Sequence, residues 1–346
     1  MIDDLIYSPS DGVTYAVEYL EKARANIKAG LGLRFPIDKI ARDYPVPPLM
    51  PGKVLTFQGQ SHNGKSMFLN FWKNNLAQRL EDNHRQEDII ISILAEDMVE
   101  EQMVSELLAA AEKHNMRGKL SDMDTVKIVA AKIATTPIYY IGSSIKRAKS
   151  DAPLPTMSNV ARAIARIIEQ RKDKGMNTVV QGVFADYIQA MPMDNEVIGM
   201  LPDKTRRLQV RQDFFGLRRL AAQIPAPCVM ASQSKQALGG HLSDNMYLPG
   251  LYDHQETSAI PQHTDTDFSI WMPKTNLKYG TNVTHEGGHP ISFTVRDNLA
   301  WMRCNKQRGF DPDTLRLLPA GSFWPLEIDF DNGTYSLADV EKLEIE

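Results

Sequence analysis

The segment Gly59-Gln-Ser-His-Asn-Gly64-Lys65-Ser66 constrains this chain more than any other. Its spacing is G-x-x-x-x-G-K-[ST], in which glycines let successive backbone N–H groups turn inward around an anion. The apolar run Lys53–Gln58 precedes it and the helical pattern Ser66–Leu80 follows, so a bound phosphate would sit on a helix N-terminus. The candidate nucleotide-binding residues are Gly59, Gln60, Ser61, His62, Asn63, Gly64, Lys65, Ser66 and Met67. Lys65 is expected to reach the β- and γ-phosphates of ATP, and the Ser66 hydroxyl to bind Mg²⁺.

Beyond this loop, short apolar runs alternate with longer helical patterns. The runs are Lys53–Gln58, Ile89–Ala95, Pro137–Ile141, Thr178–Ala185, Ala226–Ser232 and Phe268–Met272. Between them Ser66–Leu80, Val99–Lys113, Asp124–Ala134, Ser158–Arg171 and Leu208–Gln223 have helical spacing. Such alternation predicts βαβ units and a mostly parallel sheet flanked by helices. Ile291–Val295, Leu299–Asn305 and Phe323–Tyr335 read as an antiparallel C-terminal edge, with Asn332-Gly333 as a type I′ turn. Residues 1–10 read as a tail, followed by one amphipathic helix capped by Asp11 and stopped at Gly30. The proline-rich stretch Tyr44–Gly52 reads as a linker. Residues 1–45 are thus expected to be tail, helix and linker, and residues 46–346 one α/β domain.

Composition narrows the class. Lys plus Arg is 39 against 43 Asp plus Glu, a net charge of −4 that excludes a basic nucleic-acid coat but not a local basic channel. Two cysteines, Cys228 and Cys304, form no disulfide framework and no zinc pattern. The acidic N-terminus is not a signal peptide, and no apolar run is long enough to span a membrane. A cytoplasmic protein is expected.

A phosphate loop that hydrolyses needs a carboxylate for the metal and a base for water. Asp186 ends the apolar run Val179–Asp186 and is the candidate metal carboxylate. The run Ile89–Ala95 ends at Glu96-Asp97, on the strand edge where ligands bind in a parallel sheet. Glu96 is the candidate base; Asp97 could instead be that residue, and either could cap the helix near Val99. Gln233, at the tip of another apolar run, is placed to sense the γ-phosphate.

Together these segments resemble the RecA-like motor domain of hexameric replicative DNA helicases of the DnaB type. Asp186-Tyr-Ile-Gln-Ala-Met is similar to the family's Asp-Tyr-Leu-Gln-Leu-Met, and Glu96-Asp-Met-Val-Glu-Glu-Gln-Met resembles the segment with its catalytic glutamate. Ala231-Ser-Gln233 resembles the motif whose Gln couples γ-phosphate to DNA. Thr257–Asp265 is similar to the Ser-Gly-Ala-Ile segment, and Asn305-Lys306-Gln-Arg308-Gly to the Lys-x-Arg hairpin. The chain departs from the family pattern at His62, Asn63 and Ser66 in the phosphate loop and at Pro261 and His263.

The resemblance implies a ring, commonly a homo-hexamer, that moves on single-stranded DNA with 5′–3′ polarity. It implies that Lys306 and Arg308 act in trans on the neighbour's ATP, and that the first helix latches onto the adjacent subunit. Only about 45 residues precede the motor segment, so no primase-docking domain is expected; a helicase loader or a single-strand binding protein is a conceivable partner. The segment 204–219 holds six basic residues against one Asp, and with the loop after Gln233 it supplies the candidate DNA contacts Lys204, Arg206, Arg207, Arg211 and Lys235. The alternatives are a RecA/RadA-like recombination ATPase and a nucleotide-gated interaction protein.

Overall fold

Val54–Gly59 (β1) alternates Leu55 and Phe57 with Thr56 and Gln58, yet every residue is buried. A strand covered on both faces belongs in the middle of a sheet with layers on each side. That is where β1 lies in the computed structural model, which describes residues 8–43, 46–113, 122–146, 153–193, 206–235, 248–255, 259–285, 291–309, 311–312, 315–316 and 318–339. The remaining strands of the parallel core are Ile89–Leu94 (β2), Ile138–Ile141 (β3), Val180–Asp186 (β4), Cys228–Gln233 (β5) and Thr266–Trp271 (β6). Asn282–His285 (β7) and Ile291–Thr294 (β8) form a separate hairpin; Leu299–Gln307 (β9), Phe323–Asp329 (β10) and Thr334–Leu337 (β11) complete the main sheet. Its order is β11-β10-β9-β6-β1-β5-β4-β2-β3, parallel from β6 to β3 and antiparallel from β6 outward to β11.

Helices cover both faces. Lys65–Asp82 (α3) lays Phe68 and Trp72 over Leu55 and Phe57 on one face. Met157–Asp173 (α6) and Arg206–Gln223 (α7) lay Val160 and Phe214 over Val54, Val183 and Met230 on the other. Val99–Lys113 (α4) packs with Met123–Ala134 (α5), whose N-cap is Asp122, bonded to the N–H groups of Asp124 and Thr125. Trp271, Trp301 and Trp324 are core residues, as is Trp72. Among the described helices none is long and apolar enough to cross a membrane.

Three local expectations are corrected. The first helix, Pro9–Lys28 (α1), begins inside the stretch read as tail, with Pro9 at its first position, where a missing N–H is harmless. Its stop is as expected: Gly30 has φ 71°, Leu31 N–H bonds Asn26 O at 2.8 Å and Gly30 N–H bonds Ile27 O at 3.0 Å, a Schellman end. The β10–β11 turn is not type I′. That turn needs positive φ at both central residues, and only Gly333 has it, at 62°. Instead the Asp329 carboxylate accepts from the N–H groups of Asp331 and Asn332, which opens a four-residue loop, 330–333. The apolar run read from Ala226 to Ser232 becomes a strand only from Cys228 and continues to Gln233.

On the N-terminal side of the expected 45/46 boundary, Leu33 pairs with Leu49 in an isolated bridge, and Phe35, Ile37 and Ile40 are buried in the α3-side core. The last of these lies in the short helix Asp38–Asp43 (α2). Phe35 meets Trp72 edge-on at 5.4 Å and lies 5.6 Å from Phe268 and 6.3 Å from Trp324. Truncating it empties the centre of that aromatic group. Phe35→Ala is expected to cost about 3–5 kcal/mol in urea unfolding with the slope m unchanged; a cost below about 1 kcal/mol would show that this segment is only draped on the domain.

Candidate active site

The four carboxyl ends that matter chemically lie on one sheet edge, because β1, β2, β4 and β5 are parallel and adjacent. β1 ends in Gly59, where a Cβ would come within 2.9 Å of the Ile270 carbonyl. At Gly64 the chain takes a left-handed turn, φ 77°, and a Cβ would lie 2.8 Å from the Tyr335 hydroxyl. That hydroxyl donates to Gly64 O at 3.0 Å, so β11 braces the loop from outside. Asn63 braces it from beneath: its Oδ1 accepts from Met272 N–H at 2.7 Å and Thr275 Oγ1 at 3.2 Å. His62, also left-handed at φ 63°, faces solvent. α3 then starts with no side chain capping its first N–H groups, which leaves them for an anion.

Lys65 is buried, and its Nζ donates to Gln60 O at 2.7 Å. Burial, partly offset by Asp186, holds its ammonium down to about 8. Asp186 ends β4; burial pushes its carboxyl up, against a hydrogen bond from the Ser66 hydroxyl and the charge of Lys65. Its Oδ1 is buried and has no hydrogen-bond partner. An orphaned carboxylate oxygen beside a serine hydroxyl is the donor set a hard cation such as Mg²⁺ takes.

Gln233 reaches the same loop, Nε2 donating to Ser61 Oγ at 2.8 Å. The two acidic residues after β2, Glu96 and Asp97, are both exposed, and the charge of Asp97 acts on Asp186. Asp97 is itself pushed up, by burial and then by Glu96 and Glu101. At the start of α4, Glu101 Oε2 accepts from Met98 N–H at 3.2 Å.

Lys306 and Arg308 lie elsewhere. β9 runs antiparallel to β6, with Lys306 opposite Asp267 at the start of β6, so both residues leave from the edge opposite the phosphate loop. From Asp267 to Trp271 the strand alone spans about 13 Å at about 3.3 Å per residue. At that far edge Ala259–His263 (α8) ends in carbonyls that collect cations. Lys306 Nζ donates to Pro261 O at 2.5 Å, Arg308 Nη2 to Gln262 O at 3.1 Å, and Arg218 to His263 O. Burial and then the charge of Arg308 hold Lys306 down to about 8. His263 is lowered by burial and by Arg218, Arg211, Lys306 and Arg308.

The expected DNA contacts divide. Lys204 lies outside the described residues, as does most of the loop after Gln233. Arg206 opens α7 and Arg207 is exposed on its first turn. Arg211 stacks over Phe215 at 5.6 Å, and Phe215 lies 4.7 Å from His263, so Arg211 sits near the Lys306–Arg308 group. Lys235 is exposed just beyond Gln233, on the phosphate-loop edge, with its Nζ on Tyr252 O at 3.3 Å. Sequence reasoning missed Tyr335 and the bracing role of Asn63, which depend on long-range approach. It also passed over the polar positions Asp267 and Ser269 inside an apolar strand, although that signal was readable.

No protein-family profile matches the chain, and no curated protein matches it in sequence. Solved structures do match. One, described as an ATPase domain, superposes with a TM-score of 0.64 at 15% identity, over 96% of this chain and 100% of that one. A DnaB-like replicative helicase, described with its interactions with primase, superposes with a TM-score of 0.66 at 15% identity, over 96% of this chain and 68% of that one. The strand order, the phosphate loop at a strand-to-helix turn and these superpositions agree, and the chain has the RecA-like fold of the motor domain of DnaB-type replicative helicases.

Proposed function

We propose that the chain is the ATP-hydrolysing motor of a ring-forming replicative DNA helicase, in which each nucleotide lies between one subunit's phosphate loop and its neighbour's Lys306 and Arg308. The observation that carries this reading is the placement of phosphate loop and basic pair on opposite edges of one sheet. Two complementary half-sites on one subunit suit a head-to-tail ring. The exposed apolar residues Val13 and Val17 on α1 suit a helix that docks on a neighbour.

In this reading Lys65 and the first-turn N–H groups of α3 bind the β- and γ-phosphates. Ser66 and Asp186 hold Mg²⁺, which neutralises charge developing on the phosphate oxygens. The Glu96–Asp97 pair orients and deprotonates water, and Gln233 reports the γ-phosphate to the DNA loop that follows it. Arg207, Lys235 and the loops beyond them track the DNA backbone without reading bases.

ATP-dependent strand displacement on a forked duplex tests the reading, with Asp186→Asn as the inactive control. Displacement by wild type alone is expected; ATP turnover without displacement would favour a recombination-type ATPase. Proton linkage gives a second test. Because the free Lys65 amine neutralises near pH 8, binding a triphosphate above that pH must take up a proton. Affinity for a non-hydrolysable ATP analogue is expected to be flat below about pH 8 and to fall by up to about tenfold per pH unit above it. A profile flat to about pH 10 would mean that Lys65 does not face the phosphates.

A further inference from the structure

A parallel sheet covered on both faces normally reads apolar on both, but here one face carries a stripe of buried polar side chains across β5, β1, β6 and β9. Segment 248–255 seals it, through the Ser234–His254 bridge and a hydrogen bond from Gln58 Nε2 to Gly250 O at 2.9 Å. Within it Ser232 Oγ meets His254 Nδ1 at 2.8 Å, and His254 Nε2 meets Asp267 Oδ1 at 3.0 Å. Serine, histidine and aspartate stand in the order of a hydrolase triad, but Ser232 and Asp267 are 0% exposed and His254 1%. No substrate reaches that hydroxyl, so nucleophilic chemistry is not its use.

The direction of the bonds suggests another. Gln189 Nε2 donates to Ser232 Oγ at 2.9 Å, Ser232 can donate on to His254 Nδ1, and Nε2–H then points at Asp267. Asp267 also accepts from Thr56 Oγ1, Gln58 Nε2 and Asn305 Nδ2, the last two at 2.8 and 2.9 Å. Four donors fill the acceptor capacity of the Asp267 carboxylate and fix His254 and Asn305 against it, while Asn305 Oδ1 and the neighbouring Ser269 Oγ are buried without a partner. The two ends are the functional ones. Gln189 Oε1 accepts from Gln233 N–H at 3.1 Å, and Gln233 holds Ser61 in the phosphate loop. Asn305 directly precedes Lys306 on β9.

We propose that the His254–Asp267 pair is a positioning element that ties the γ-phosphate sensor Gln233, on one sheet edge, to the basic pair Lys306 and Arg308 on the other. It rests on the reading above, and it means that each subunit's own nucleotide state sets the pose of the cations it offers to its neighbour. Any shift of Gln233 when it leaves Ser61 for a phosphate is passed through Gln189, Ser232 and His254 to the carboxylate that holds Asn305.

The test uses the full chain with His254→Leu and, separately, Ser232→Ala, which deletes one hydroxyl with little change in volume. Both are expected to bind a fluorescent ATP analogue within about twofold of wild type while losing about tenfold or more in DNA-stimulated turnover. Mixing either with the double variant Glu96→Gln/Asp97→Asn, which holds nucleotide without hydrolysing it and so offers its cations in the nucleotide-bound pose, is expected to restore turnover. A merely destabilised protein would not be rescued in this way. Wild-type turnover in both variants overturns the proposal. So does a loss that the Glu96→Gln/Asp97→Asn helper does not rescue while it does rescue Arg308→Ala. A wild type indifferent both to DNA and to Arg308→Ala overturns the motor reading itself, and the coupling with it.

Discussion

Arg308→Ala is expected to lower DNA-stimulated ATP turnover by roughly 10³–10⁵-fold, the effect of removing an arginine that stabilises charge on a transferring phosphoryl group. Nucleotide affinity of the isolated subunit should change little, because Arg308 leaves the sheet from the edge opposite its own phosphate loop. In the isolated subunit its guanidinium rests on the Gln262 carbonyl, and its backbone N–H is pinned to Asp265 O at 2.9 Å. The base of the hairpin is therefore fixed while the tip is held by one exchangeable bond. Arg308→Lys should rescue poorly, since an ammonium cannot present a planar fork to phosphate oxygens. An alanine variant that loses nucleotide binding rather than turnover would place Arg308 in its own subunit's site.

Asp97→Asn is expected to lower turnover by roughly 10²–10⁴-fold, the range for a general base, with Glu96→Gln the milder of the two. Both residues follow the same strand and both are exposed, but the charge felt by Asp186 is that of Asp97. Single-turnover rates for the two variants decide between them. The reverse order would assign the base to Glu96, and equal, small losses would remove both from the chemistry.

The parallel core was legible because each of its strands lies in a short apolar run set between helical patterns. Gly59, Asp186 and Gln233 end their strands and meet at one edge, as the alternation of strand and helix predicted. The N-terminal segment was less legible. Pro36, Pro45, Pro47 and Pro48 signal broken secondary structure, yet nothing local says that Phe35 inserts among Trp72, Phe268 and Trp324. Local pattern also overstated the Asn332-Gly333 turn, since the Asp329 carboxylate offered backbone N–H groups a competing partner. Tyr335 and Asn63 hold the phosphate loop through contacts more than 200 residues apart in sequence, beyond the reach of spacing. Basic clustering in 204–219 showed charge but not direction, and Arg211 turned toward His263.

ATP turnover by the wild-type chain, measured with and without single-stranded DNA while particle mass is read on the same samples, tests the motor most directly. Turnover that rises with DNA, in particles of ring mass, is the expected result. A monomer whose turnover ignores DNA would contradict it and leave the fold a nucleotide-gated switch.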